Sequence, residues 1–191
     1  MAEFWWKSTL YPSDLFVEAC GAVVFDTSAH PRKVCLLYHG GSGEWLLPKG
    51  RRNCNETRQD AVRREVREES GYGISLRPLT LTTRAPPDRE PANAADVPRV
   101  CDDAVEPFML DVRELGLDKG VKLVWWFVAE HDGTEGEGEA QFKAVFVRYE
   151  RAIERLTFRK DREVLARAIE LVEQQQQRQQ LGNGAEAKMR D

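Results

Sequence analysis

Apolar positions along this chain follow two periods, and each change of period marks an element. Continuous apolar runs at Phe16–Phe25 (FVEACGAVVF) and Val34–Tyr38 (VCLLY) read as neighbouring buried strands, with the turn between them at Asp26 to Lys33. A glycine-rich bend over 39–43 leads into Glu44 to Leu47, where Trp45 is expected in the core. From Thr57 the period becomes helical. Thr57 is placed as N-cap, Asp60 follows three residues later as in a capping box, and Gly71 stops the helix after Ser70. Val62 and Val66 lie one turn apart and should face a core.

Beyond that helix, Ile74 to Thr83 is β-rich, with Pro78 demoting its middle to an edge or bulge. Residues 84–107, rich in Pro, Ala and Asp, read as one long loop, either disordered or a mobile lid. Phe108–Val112 and Lys122–Glu130 read as paired strands, 131–139 as an acidic loop with solvated glutamates, and Phe142–Val147 as a last strand. Tyr149 to Leu156 reads as a short helix. A final helix from about Asp161 places Val164, Leu165, Ala168, Ile169 and Val172 at apolar helical spacing. This gives three parts: an N-terminal extension 1–15, a domain 16–173 with the loop 84–107, and a disordered Gln-rich tail 174–191. The aromatic cluster Phe4, Trp5 and Trp6 is expected to dock on the domain surface.

The helix after Thr57 carries a contradiction. Glu65, Glu68 and Glu69 fall in one arc beside the inward valines, because positions i, i+3 and i+4 share a face. Like charges at that spacing cost about 0.2–0.5 kcal/mol per pair even in water, and more when partly buried. Helix geometry alone leaves two readings open: a solvated acidic stripe, or a site for a divalent cation. Oxygen ligands suit Mg²⁺ or Mn²⁺, and no His and Cys cluster of the kind zinc prefers accompanies them.

The wider spacing decides more. Gly50, Glu56, the run Arg64-Glu65-Val66-Arg67-Glu68-Glu69 and Gly71 stand in the spacing of the Nudix box. The stretch therefore resembles the signature of hydrolases that cleave diphosphates linked to a further group. Tyr72 is the one departure, a packing position where the family usually has an aliphatic residue. The resemblance implies an α/β fold, an α/β/α sandwich around a mixed sheet. Trp45 followed by Leu-Leu-Pro-Lys-Gly, and Glu150 to Ile153 after an aromatic strand, are similar to enzymes of diphosphoinositol and dinucleoside polyphosphates.

By the same resemblance, Glu65 and Glu69, with backbone near Gly50, hold Mg²⁺ or Mn²⁺. Glu68 is the general base, Arg64 orients a glutamate, and Glu56 supports the site from behind. Lys49, Arg51, Arg52 and His39 border the box; each alone reads more often as solvated surface, but clustered beside the helix they are candidate phosphate contacts. Lys122, Arg159 and Lys160 are possible additions from later elements. The implied activity is metal-dependent cleavage of a phosphoanhydride in diphosphoinositol polyphosphates or dinucleoside polyphosphates. Other nucleotides (ADP-ribose, a nucleoside triphosphate, an RNA cap) and a non-catalytic binding module are the alternatives.

Composition changes this picture little. With 41% hydrophobic and 31% charged residues over 191 positions, the chain fits one soluble domain with extensions. A net charge of −4 gives no general field for nucleic acid, which is expected only as a capped or nucleotide substrate. No apolar run approaches the ~20 residues of a membrane span, and the start of the chain lacks a signal-peptide pattern. Four scattered cysteines point to a reducing compartment, cytoplasm or nucleus. The expected partner is a small phosphorylated molecule; the oligomeric state is open.

Overall fold

The computed structural model describes residues 8–28, 32–86, 95–116 and 119–188, with side chains in the last segment to 180. The expected docking of Phe4, Trp5 and Trp6 lies outside the described residues. Among the described residues, ten strands and three helices follow in order. These are β1 (Phe16–Asp26), β2 (Lys33–His39), β3 (Glu44–Leu46), β4 (Lys49–Arg51), α1 (Arg58–Ser70), β5 (Tyr72–Leu76) and β6 (Leu79–Thr83). Then come β7 (Arg99–Ala104), β8 (Met109–Glu114), β9 (Val121–Glu135), β10 (Phe142–Arg148), α2 (Tyr149–Arg155) and α3 (Arg159–Lys188).

Eight strands form one mixed sheet in the order β10-β2-β1-β9-β5, with β3 on β2, β4 on β1 and β8 on β9. Among the described residues only β1 and β9 run parallel, in register from Phe16 opposite Val121 to Phe25 opposite Glu130. Ala19 to Phe25 are all buried, the unbroken apolar run of a strand covered on both faces. On one face Val62 and Val66 of α1 pack with Cys20, Ala22, Val24 and Phe127. On the other, Val164, Leu165 and Ala168 of α3 and Ala152 of α2 pack with Val23, Phe25, Val124 and Trp126. This is the expected α/β/α sandwich. No helix among the described residues is long and apolar enough to cross a membrane.

Three expectations are corrected. Residues 84–107 are not one loop: Arg99–Ala104 forms β7 and pairs antiparallel with β6 as a separate two-stranded sheet. Its sequence, RVCDDA, has too little apolar alternation to announce a strand, since its side chains face water. Pro78 does break the β-rich run, but into two strands that belong to different sheets. The acidic stretch from His131 continues β9 as far as Glu135, paired with β5. The Gln-rich run continues α3, where the Gln175 side chain receives the Thr80 N–H at 3.3 Å and donates to the Pro78 carbonyl at 3.2 Å. Glutamine is a good helix former, so polarity ended the apolar stripe without ending the helix.

Candidate active site

The box begins in β4 and ends in α1, and β1 brings the two together. Cys20 of β1 faces Gly50 of β4, while α1 packs across the same strand. Thr57 caps α1 as expected: its hydroxyl oxygen accepts the Asp60 N–H at 3.1 Å. Gly71 ends the helix in the left-handed conformation (φ 78°), with its N–H on the Arg67 carbonyl.

Arg64 is the centre of the polar network. It clamps both carboxylate oxygens of Glu56 (2.8 and 2.9 Å) and reaches Glu65 and Glu68 at 2.8 Å each. A fifth bond runs to the Arg51 carbonyl at 2.9 Å and ties the helix to β4. The guanidinium holds the Glu56 carboxyl down at about 2, and the Asn53 N–H adds to that effect. Arg64 therefore orients glutamates and also makes the i,i+4 pair with Glu68.

Glu65 is buried and Glu69 half-buried, whereas Glu68 is exposed. A Cβ at Gly50 would overlap the Glu65 carboxylate, so only glycine lets that acid lie against β4. Glu69 accepts the Lys49 N–H at 2.7 Å. Burial pushes its carboxyl up to about 7, with Glu65 and Glu139 pushing the same way against the pull of Lys49. Burial raises Glu65 too, against Arg64, and Glu68 and Glu139 add to the rise.

Glu139 is the residue that sequence reasoning placed in solvent. Its side chain is exposed, but its N–H donates to the Glu68 carbonyl at 2.7 Å, and its charge is felt by both Glu65 and Glu69. Gly136 and Gly138 make that approach possible. A Cβ on Gly138 would meet the backbone of Glu69, Ser70 and Gly71, and one on Gly136 would meet Arg67. Glycines interleaved with acids were the only signal.

The basic candidates separate. Lys49, Arg51, Arg113 and Lys122 gather, and Lys122, half-buried, is lowered by burial and by the other three. Arg52 is instead committed to Glu18 at 2.8 Å and to the Glu56 carbonyl at 2.8 Å. His39 accepts the Ser42 N–H at 3.0 Å and packs on Phe142, so it serves its own turn. Lys160 pairs with Asp111 at 2.9 Å, and Arg159 with Glu163 at 2.9 Å. Trp45 is half-buried with Arg155 over its ring at 5.2 Å, and Trp126 is fully buried.

Two box carboxylates, Glu65 against Gly50 and Glu69 on the Lys49 N–H, offer the oxygen donors a divalent cation takes, although among the described residues no group of three or more His, Cys, Asp or Glu stands as a metal site. The Glu65 oxygens lie in a glycine cradle, and burial raises the Glu69 carboxyl to about 7 against the pull of Lys49. Glu65 and Glu69, with backbone near Gly50, are the groups that would hold the cation.

The NUDIX domain model matches residues 15–169 of the chain. The chain belongs to this family, the Nudix hydrolases. A hydrolase of that family from Clostridium perfringens superposes with a TM-score of 0.54 at 15% identity, over 84% of this chain and 99% of that one. A Caenorhabditis elegans Ap4A hydrolase superposes at 0.53 with 16% identity, over 81% and 95%. In sequence, the 8-oxo-(d)GTP phosphatase of Mycolicibacterium smegmatis is 26% identical over 85% of the chain. The chain spans only 44% of that relative's length.

Proposed function

We propose that this chain hydrolyses a phosphoanhydride bond in a small polyphosphate substrate, using Mg²⁺ or Mn²⁺. One observation carries the reading: acids and cations crowd against their own kind and meet at a single residue. Glu65 and Glu139 push the Glu69 carboxyl up, Lys122 is lowered by burial and by Lys49, Arg113 and Arg51, and Lys49 joins the groups through its N–H to Glu69. A metal satisfies the first group and a polyphosphate the second, so the complex relieves both repulsions.

When bound, the metal neutralises phosphate oxygens and lowers the pKa of a bound water. Lys49, Arg51 and Lys122 hold the phosphates in place. Glu68, exposed at one turn from Glu65, takes a proton from the attacking water, and Arg64 keeps its carboxylate aimed. The alternative of a binding module is the weaker reading, because binding alone does not need three mutually repelling acids.

For the substrate, a nucleoside polyphosphate, dinucleoside polyphosphates included, is the first reading, supported by the likeness to an 8-oxo-(d)GTP phosphatase. A diphosphoinositol polyphosphate is the second, supported by the four gathered cations. The purified chain should release phosphate from at least one of these with Mg²⁺ and lose that activity in chelator. Inertness on the whole panel would overturn the enzyme reading.

A further inference from the structure

Glu18 is the one charged residue in the apolar run Phe16–Phe25, an acid in the strand that supports both ends of the box. Alternation along β1 puts it on the face of Cys20 and Ala22, the face that α1 covers. Its side chain is only 12% exposed. A carboxylate so enclosed needs partners, and three side chains supply them. It accepts the Arg52 Nε–H at 2.8 Å, two N–H groups of Arg58 at 3.0 and 2.6 Å, and the Trp125 indole N–H at 2.8 Å. Burial opposes the charge, but the bonds from Arg58, Trp125 and Arg52 outweigh it and hold the carboxyl below its ordinary value. Glu18 thereby joins the end of β4, the start of α1 and β9.

Arg52 carries this anchorage into the loop of the box. Its N–H donates to the Glu18 carbonyl at 3.0 Å, and its guanidinium reaches the Glu56 carbonyl at 2.8 Å and the Asn53 carbonyl at 3.3 Å. The Asn53 N–H then donates to the Glu56 carboxylate at 2.8 Å, and Asn55 turns the loop in the left-handed conformation (φ 61°), which asparagine tolerates. That Glu56 carboxylate is the one Arg64 clamps, and Arg64 holds Glu65 and Glu68. A continuous chain of bonds runs from Glu18 through Arg52, the loop and Arg64 to the two acids.

We infer that Glu18 is a positioning residue for hydrolysis: through Arg52 and the loop it fixes the Glu56 carboxylate on which Arg64 rests, and so the aim of Glu65 and Glu68. The inference rests on the hydrolase reading and adds to it a residue that lies outside the box. Lys49, Arg51 and Lys122, which hold the phosphates, are not part of this chain of bonds. Loss of Glu18 should therefore lower turnover and leave substrate affinity alone.

The test is steady-state kinetics at saturating Mg²⁺ with Ap4A, GTP and a diphosphoinositol polyphosphate, using whichever the wild type cleaves and counting only folded protein. Glu18→Gln keeps the shape and removes the charge. Its kcat should fall by about 10- to 100-fold with KM unchanged, since small misplacements in a site cost up to about 10²-fold. Arg52→Ala cuts only the arm toward the loop; it should lower kcat in the same way, and it stands in where Glu18→Gln does not fold. In a Glu56→Ala background, Glu18→Gln should cost no further kcat, because the link it acts through is gone. Unchanged kcat in either single variant, or a loss carried by KM, overturns the inference. So do losses that multiply in the double variant, which would mark Glu18 as structural only. If the wild type cleaves nothing, the hydrolase reading falls, and NMR decides the positioning alone. The Arg64 Nε–H signal, absent from Arg64→Lys, should then exchange faster with solvent in Glu18→Gln, and an unchanged rate overturns the inference.

Discussion

The Lys49 N–H donates to the Glu69 carboxylate at 2.7 Å, so the strand that begins the box holds the acid that ends it. Nineteen positions separate the two residues by simple count, and β1 lies between their elements as the common support. Neither the acid nor the strand can shift without the other.

Glu69 makes metal-free stability depend on pH. Its folded value, about 7, lies above the ordinary carboxylate value, so between roughly pH 4.5 and 7 the folded protein binds more protons than the unfolded. The neutral form's advantage is therefore full at low pH, and stability falls as pH rises through that window. Glu69→Gln removes the charge and should raise the melting temperature of the metal-free protein, more at pH 8 than at pH 5. The difference corresponds to roughly 2–3 kcal/mol. The same variant should lose most turnover with Mg²⁺. A pH-independent difference in calorimetric melting would remove Glu69 from this role.

Glu68 and Glu139 compete for the part of base. Glu68→Gln should keep substrate binding while kcat drops by about 10²- to 10⁴-fold. Glu139→Gln should instead raise the Mg²⁺ concentration needed for half-maximal rate. A larger kcat loss in Glu139→Gln than in Glu68→Gln would transfer the assignment to the loop glutamate.

Arg64 spans Glu56, Glu65, Glu68 and the Arg51 carbonyl, a reach that a single ammonium lacks. Arg64→Lys should lower stability by roughly 1–3 kcal/mol, read from the urea midpoint, and reduce kcat at least tenfold. Near-wild-type turnover in this variant would mean that the glutamates aim themselves.

Gly50→Ala tests the cradle. The added methyl would occupy the place of the Glu65 carboxylate, beside the buried Ala61, Val62 and Val66 of α1. The variant should fold less stably and require more metal, and saturation with Mg²⁺ at wild-type concentrations would refute the cradle.

Arg51 and Arg52 looked alike in sequence, and the structure gives them different work. Arg51→Ala should raise KM for a polyphosphate, with the loss shrinking at higher salt. Arg52→Ala removes a partner of Glu18 and should show itself in melting temperature rather than KM. Identical kinetic losses from both would contradict the separation.

The helix, its caps and its acids were legible because each rests on local chemistry: Thr57 caps, Gly71 stops, and Val62 and Val66 fix the inward face. β1 and β2 announced themselves by unbroken apolar runs. Other features depend on contacts far along the chain. Asp161 reads as an acid in a helix's first turn, and only the packing of α3 against Leu47 and Lys49 puts it in a cleft wall. Glu139 is solvated as expected, but its closeness to Glu69 was illegible because two glycines packed on a helix end set it. The partners of Arg52 and His39, Glu18 and Ser42, were illegible for the opposite reason, since they are not part of the motif.

The parallel pairing of β1 with β9 has a consequence for synthesis. Phe16 opposes Val121, so the strand that supports both ends of the box has no neighbour on that side until well over half the chain exists. On the ribosome α1 emerges long before β9, and the apolar run Ala19–Phe25 must wait exposed during the interval. Closing so distant a contact is slow, and an uncovered apolar strand is prone to associate with others. Chains arrested before residue 121 should therefore depend on chaperones, whereas chains that extend beyond α3 should not.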